Sequence, residues 1–171
     1  MEILGLSYKH SVNNVMHPAQ HVFDFYSDKD KKKAGTLVCH KSEIKLRPNY
    51  DNPVLAIDFL EVTNKEQGVG TKILKFAEEY SRKSGCNGFM TLKADVSFMP
   101  EKIPHTFYRK FGFSTLEKNT DKKLDTFIRQ NKDATQKDFP CLLMHYPPAA
   151  EKNGFSLKNI ALLLKQFFRL K

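Results

Sequence analysis

The alternation of hydrophobic and polar positions divides the chain into short elements. Residues 1–8 mix apolar and polar positions and read as an opening strand. Pro18 sits where a helix can begin. Ala19, Val22, Phe23 and Tyr26 then fall at i, i+3, i+4 and i+7, one face of a helix. That pattern predicts a first helix, dissolving into a lysine cluster and stopping at Gly35. Residues 36–39 and 42–46 read as two strands or one hairpin, and 49–53 as a turn. Residues 54–62 (VLAIDFLEV) are nearly continuously apolar and rich in β-branched and aromatic side chains. Such a run predicts a strand covered on both faces, hence central. A glycine turn follows, then a helix over 71–83 with Ile73, Leu74, Ala77 and Tyr80 as its buried stripe and Gly85 as its stop.

The second half has the same texture. Residues 88–94 predict a strand, and 104–111 a short helix with Pro104 in its first turn and Gly112 just past its end. Residues 113–116 start another strand, and 121–130 a helix with Leu124, Phe127 and Ile128 on one side. The last strand is 139–146, closed by Pro147 and Pro148, and 156–171 form a terminal helix. The order predicts an α/β fold, a mixed and mostly antiparallel sheet flanked by helices, and not a clean βαβ repeat. Residues 1–150 form one domain, and 151–171 add an amphipathic helix packed on it.

Composition narrows the partners. The 171 residues suffice for one core. The formal net charge is +9, which attracts polyanions: nucleic acid, an anionic membrane or a phosphate-rich small molecule. The charge is spread along the chain, and its densest cluster, Lys29 to Lys33, is too short for a nucleic-acid arm. Cys39, Cys86 and Cys141 lie far apart, with no CxxC pair and no zinc spacing, which suggests a reducing compartment. The first ten residues lack the features of a signal peptide, and no run reaches the length of a membrane span. The expected location is the cytoplasm.

The chemistry concentrates in FLEVTNKEQGVGTKILKFAEEY, where a buried strand runs through a glycine turn into a helix. The first turn of a helix has free backbone N–H groups and a positive dipole end. Gly68 and Gly70 would clear space for a phosphate, and Lys65 adds a mobile charge, so the construction suits a pyrophosphate. A Walker loop is excluded because GxxxxGK(S/T) is absent, and the dinucleotide fingerprint lacks its third glycine. The alternative is a strand-to-helix connection that binds nothing. In the second segment, FYRKFGF, Phe107 and Phe111 are i, i+4 partners expected in the core. Tyr108 lies about 100° around the helix from Phe107 and is free to point into a cleft.

Together the two segments resemble the GNAT superfamily of N-acetyltransferases. Lys65-Glu66-Gln67-Gly68-Val69-Gly70 resembles its pyrophosphate motif, (Q/R)xxGx(G/A), with Lys in the first place. Phe107 to Phe113 resembles its later FYxKxGF helix, and the likeness covers residues 55–116. The resemblance implies acetyl-CoA as acyl donor. Backbone N–H groups around Gln67, Gly68, Val69, Gly70 and Thr71 would hold its pyrophosphate. The strand end from Leu60 to Val62 would pair with pantetheine where two central parallel strands splay apart. Tyr108 would protonate the leaving thiolate, and the N–H of Val62 or its neighbour would meet the oxyanion. Two departures stand out. Lys65 keeps charge but loses bidentate contact, and the 95–103 connection carries no Asn.

For the general base the sequence offers Glu61 and Asp58 in the central strand, Glu61 nearer the cofactor turn. A buried carboxylate with a raised pKa would suit the task; the other reading is that Glu61 makes a salt bridge or lies at the sheet end. His105 either faces the cleft or serves as a surface or capping residue. Ordered water is the remaining option.

The implied reaction is direct transfer of an acetyl group to an amine of unidentified identity. No cysteine has a base beside it in the motif regions, so no covalent intermediate is expected. One rival acceptor is an RNA-borne amine such as aminoacyl-tRNA. A non-enzymatic rival is a cofactor-binding or interaction module whose basic helix serves a partner or membrane. In that helix Leu157, Ile160, Ala161, Leu164 and Phe168 form one face, Leu163, Phe167 and Leu170 broaden it, and Lys158, Lys165, Arg169 and Lys171 lie opposite. Such a face packs on the domain, forms a homodimer contact or lies on an anionic surface. Truncation after Pro148 is therefore expected to lower the melting temperature or change the solution mass. Unchanged melting, mass and vesicle binding would leave the helix without a role.

Overall fold

The stretch QHVFDFYS carries both a helical and a strand period, and its neighbours decide between them. Phe23 and Phe25 are buried on one face, and the residues between them point to the other. The segment forms a strand, Gln20–Ser27, paired on both sides. The helix predicted from Pro18 onward is therefore not formed. Pairing on both edges satisfies the backbone while the period-two face buries two phenylalanines, which a helix with the same residues does not do.

In the computed structural model the described residues are 3, 5–43, 53–63, 68–95, 104–130 and 138–146. They form β1 (Leu6–Asn13), β2 (Gln20–Ser27), β3 (Lys33–Ser42), β4 (Val54–Val62), α1 (Val69–Lys83), β5 (Met90–Ala94), α2 (His105–Phe111), β6 (Ser114–Thr115), α3 (Lys118–Arg129) and β7 (Leu142–Tyr146). The seven strands make one sheet in the order β1-β2-β3-β4-β5-β7-β6. All pairs are antiparallel except β4–β5, so the expected mixed sheet with flanking helices is found.

Several boundaries differ from expectation. The opening strand lies at 6–13, not 1–8. The lysine cluster forms the β2–β3 turn, with Lys31 in a left-handed conformation at φ 57°. Gly35 ends no helix. It sits inside β3, where a Cβ would lie 2.4 Å from the Glu61 carbonyl oxygen. The two expected strands at 36–39 and 42–46 are one, ending at Ser42, and 44–46 lie outside the described residues. β4 is central, but it is buried only from Val54 to Ile57; Asp58, Phe59 and Glu61 are exposed. The terminal segment 156–171 lies outside the described residues.

The helices predicted at 71–83, 104–111 and 121–130 are present with small shifts in their ends. α1 packs its stripe (Ile73, Leu74, Phe76, Ala77) on the face that carries Phe23, Phe25, Leu37 and Cys39. The buried Ser81 hydroxyl donates to the Phe89 carbonyl at 2.7 Å, tying α1 to the start of β5. Arg109 of α2 holds Asp125 of α3 through two bonds of 2.8 and 2.9 Å. It also donates to the Phe113 carbonyl and the Ser114 hydroxyl, so one guanidinium joins α2, β6 and α3.

Phe76 is the hub of the aromatic core, with ring centroids 4.9 Å from Tyr8, 4.9 Å from Phe23 and 5.2 Å from Phe25. Phe76→Ala should cost about 3–5 kcal/mol of stability in chemical denaturation, as a fully buried ring replaced by a cavity.

Candidate active site

The parallel strands β4 and β5 pair only at Leu55–Met90, Ala56–Thr91 and Ile57–Leu92. Beyond that point each keeps its outer neighbour. β4 follows β3 as far as Val62–Gly35, and β5 follows β7 as far as Ala94–Leu142. The two strands therefore part company. The separation coincides with a bulge: Cys39 faces Ile57 and Val38 faces Phe59, which leaves Asp58 as the extra residue on β4. Residues 58–62, including Leu60 and Val62, then have no strand on their β5 side among the described residues. Backbone amides in such a gap require a partner, and an extended ligand that carries amides can supply one as a strand would.

α1 begins beside this gap. Gly68 precedes it at φ 64°, a left-handed conformation that favours glycine, and a Cβ there would meet nothing within 4 Å. At this helix start Thr71 is exposed, while Val69 and Gly70 are buried. No acidic residue occupies the first turn. Gly70 has a different surrounding from the one expected of it. A Cβ there would fall 3.0 Å from the Phe107 ring and 3.4 Å from Val62, so the missing side chain lets α1 approach α2 and β4. Lys65 and Gln67 lie outside the described residues.

Between α1 and α2 is a cavity of about 400 Å³ lined by Thr71, Lys75 and Glu78 from one helix, Phe107, Lys110 and Phe111 from the other, and Tyr146. Thr71, Lys75 and Glu78 share one face because they are spaced i, i+4, i+7. The two lysines make the groove cationic, while Glu78 pairs with Arg82. Phe107 and Phe111 are half-buried rather than fully in the core.

Tyr108 packs its ring against Phe107 at 5.3 Å and Phe113 at 5.8 Å. Its hydroxyl makes no hydrogen bond among the described residues, and burial pushes its pKa up to about 12. The phenol is thus a neutral proton donor at physiological pH. Gly112, at φ 117°, caps α2, and the Gly112 N–H bonds back to the Tyr108 and Arg109 carbonyls.

The carboxylates and histidines fall differently from expectation. Glu61 is exposed, opposite Thr36 of β3, so the expected buried carboxylate is not found there. The strand alternation places it on the face away from α1. Asp58 accepts from His40 Nδ1 at 2.7 Å and from Gln20 Nε2 at 3.1 Å. His105 neither faces a cleft nor lies on the surface. It is fully buried, donates from Nε2 to the Pro140 carbonyl at 2.9 Å, and stacks on Phe139 at 6.0 Å. Burial lowers its pKa, and its Nδ1 has no hydrogen-bond partner, so it is a neutral core residue. Sequence reasoning missed His40, which it left between the segments 36–39 and 42–46 and which the structure places inside β3. Burial pushes the Cys39 thiol up to about 12 and raises Cys86 and Cys141 as well. None is a ready nucleophile. Among the described residues no group of His, Cys, Asp and Glu is arranged for a metal, and no helix is long and apolar enough to cross a membrane.

No protein-family model and no curated protein sequence matches the chain. Solved structures do. A point mutant of the toxin AtaT, bound to the C-terminus of the antitoxin AtaR and acetyl-CoA, aligns at TM-score 0.50 and 14% identity over 80% of this chain and 73% of its own. A histone acetyltransferase HPA2 and related acetyltransferase from Corynebacterium glutamicum aligns at TM-score 0.45 and 15% identity over 76% of this chain. This chain spans 65% of the length of that protein. A GNAT-family acetyltransferase from Bordetella pertussis aligns at TM-score 0.45 and 10% identity, over 75% of this chain and 66% of its own. The likeness at TM-score 0.50 agrees with the strand order and the parting of β4 from β5: this chain has the fold of the GNAT acetyltransferases.

The Tyr108 pKa gives a testable pH dependence. Folding raises it from 10.0 to about 12, so its stabilising contribution is complete below pH 10 and is lost as pH climbs through the folded value. Tyr108→Phe should flatten the fall in stability over that window, measured by denaturation at stepped alkaline pH. Burial raises Tyr80 too, so some slope remains.

Proposed function

We propose that this chain is an acetyl-CoA-dependent N-acetyltransferase that moves the acetyl group directly to an amine. The observation that supports the reading is the gap between β4 and β5, together with a helix start that carries no acidic residue and a cavity lined by Lys75 and Lys110. Pantetheine is an extended chain with two amides, and the β4 edge from Leu60 to Val62 offers it strand-like pairing. The pyrophosphate would sit on the N–H groups around Gln67, Gly68, Val69, Gly70 and Thr71, with Lys65 as a mobile counter-charge. The adenosine end would enter the α1–α2 cavity, where Lys75 and Lys110 meet its remaining phosphate.

Tyr108 would donate its proton to the sulfur as the carbon–sulfur bond breaks, since a protonated thiol is the better leaving group. The N–H of Val62 or its neighbour would meet the developing oxyanion. Glu61, exposed on the opposite face, would draw in a protonated amine. A second reading of the acceptor, an RNA-borne amine such as aminoacyl-tRNA, is favoured by the +9 net charge and predicts salt-dependent RNA binding.

Acetyl-CoA should raise the melting temperature, because a ligand that binds only the native state stabilises it. Tyr108→Phe should keep that shift yet lower turnover by about 10²-fold or more. A wild-type protein with neither a melting shift nor calorimetric heat at millimolar acetyl-CoA would refute the reading.

A further inference from the structure

The opening between β4 and β5 has two faces, and α1, α2 and their cavity occupy one of them. On the other face lie Gln20 of β2, His40 of β3, and Asp58 and Phe59 of β4, with Glu61 further along the same strand. We propose that His40 is the general base of acetyl transfer, with Asp58 and Gln20 as its positioning residues. The proposal rests on the acetyltransferase reading and assigns the proton acceptor of that reaction.

Position comes first. His40 pairs with Ala56, and Ala56 pairs with Thr91, one residue before the last β4–β5 pair. Asp58 is the bulged residue that follows Ile57, so its carboxylate stands where the strands part. An acetyl group delivered along β4 from the α1 side would end at this level. An amine would then approach it from the free face, across His40 and Asp58. Phe59, 48% exposed, offers an apolar surface for the stem of that amine.

The local chemistry suits a base. A carboxylate only accepts, so the 2.7 Å contact makes His40 Nδ1 the donor, and in the neutral ring Nε2 then carries the lone pair. Gln20 donates to the same Asp58 oxygen at 3.1 Å, which holds the carboxylate in place. The side chains of His40 and Asp58 are 19% and 30% exposed, so the pair is ordered yet within reach of a solute. Asp58 lies two residues beyond Ala56, the partner of His40, and so shares its face; the bulge changes the alternation only after it, putting Phe59 and Glu61 on that face as well.

The reaction balances. The bound ammonium gives one proton to His40 Nε2, and the freed lone pair forms the carbon–nitrogen bond. The carbon–sulfur bond breaks with its electron pair on sulfur, and the thiolate takes the proton of Tyr108. The second N–H proton leaves the new amide and restores Tyr108 through solvent. His40 then releases its proton to water, so the products are the amide, the thiol and one proton.

The test separates proton removal from structural support by the choice of amine. Lysine amide carries an alkyl ammonium at neutral pH, whereas methoxyamine is already unprotonated. Calorimetry should give wild type and His40→Ala the same affinity for acetyl-CoA. In single-turnover transfer, His40→Ala should slow acetylation of lysine amide by about 10²–10⁴-fold, the usual scale of general base catalysis. Acetylation of methoxyamine should change little, and added imidazole should restore part of the lost rate. Asp58→Asn should produce a smaller loss with the same selectivity, and His40→Gln, close in shape, should behave as His40→Ala. Equal losses for both amines, or no loss for either, would overturn the proposal. So would a wild-type protein that binds acetyl-CoA and transfers to neither amine. Failure to bind acetyl-CoA would instead refute the acetyltransferase reading itself.

Discussion

Two parallel strands that hold together for three residue pairs and then separate are the constraint on which this structure depends. A fully zipped β4–β5 pair would satisfy its own backbone and leave no room between the layers. Here the outer pairings persist on both sides while the inner one stops, so the sheet opens without losing its edges. The Asp58 bulge supplies the local change of twist that an opening requires.

The two faces of the opening differ in charge. The α1–α2 side carries Lys75 and Lys110 and a helix start without acidic residues, an environment for phosphates. It also carries Tyr108, whose burial keeps its proton in place. The opposite face carries Asp58 and Glu61 as well as His40, an environment that attracts a cation. In the transfer proposed above, the opening is where these two environments would meet.

Rigidity around the opening comes from a few polar ties. Arg109 joins α2 to β6 and α3, and thereby fixes the helix that carries Tyr108. Ser81 ties α1 to the segment leading into β5. The missing side chain of Gly70 lets the two helices touch through Phe107. Placement of the phenol therefore follows from packing around α2 rather than from its own helix alone.

The sequence by itself determined the features that depend on near neighbours. The stripe from Ile73 to Ala77, Pro104 and Gly112 at the ends of α2, and the glycine turn at Gly68 are local, so spacing was enough to find them and the motif they form. Tertiary structure decided everything that depends on which face a residue joins. Phe23 and Tyr26 fit a helix as well as a strand until β1 and β3 pair on either side. Gly70 read as a gap for a phosphate until Phe107 was found against it. Glu61 read either as a buried carboxylate or as a residue of the sheet end, and a period-two chain decides by putting alternate residues on opposite faces, with a single bulged residue moving the boundary. That register turned Glu61 to solvent and gave Asp58 to His40, from a strand eighteen residues away. Register is set by pairing between distant segments, and no spacing along one segment records it.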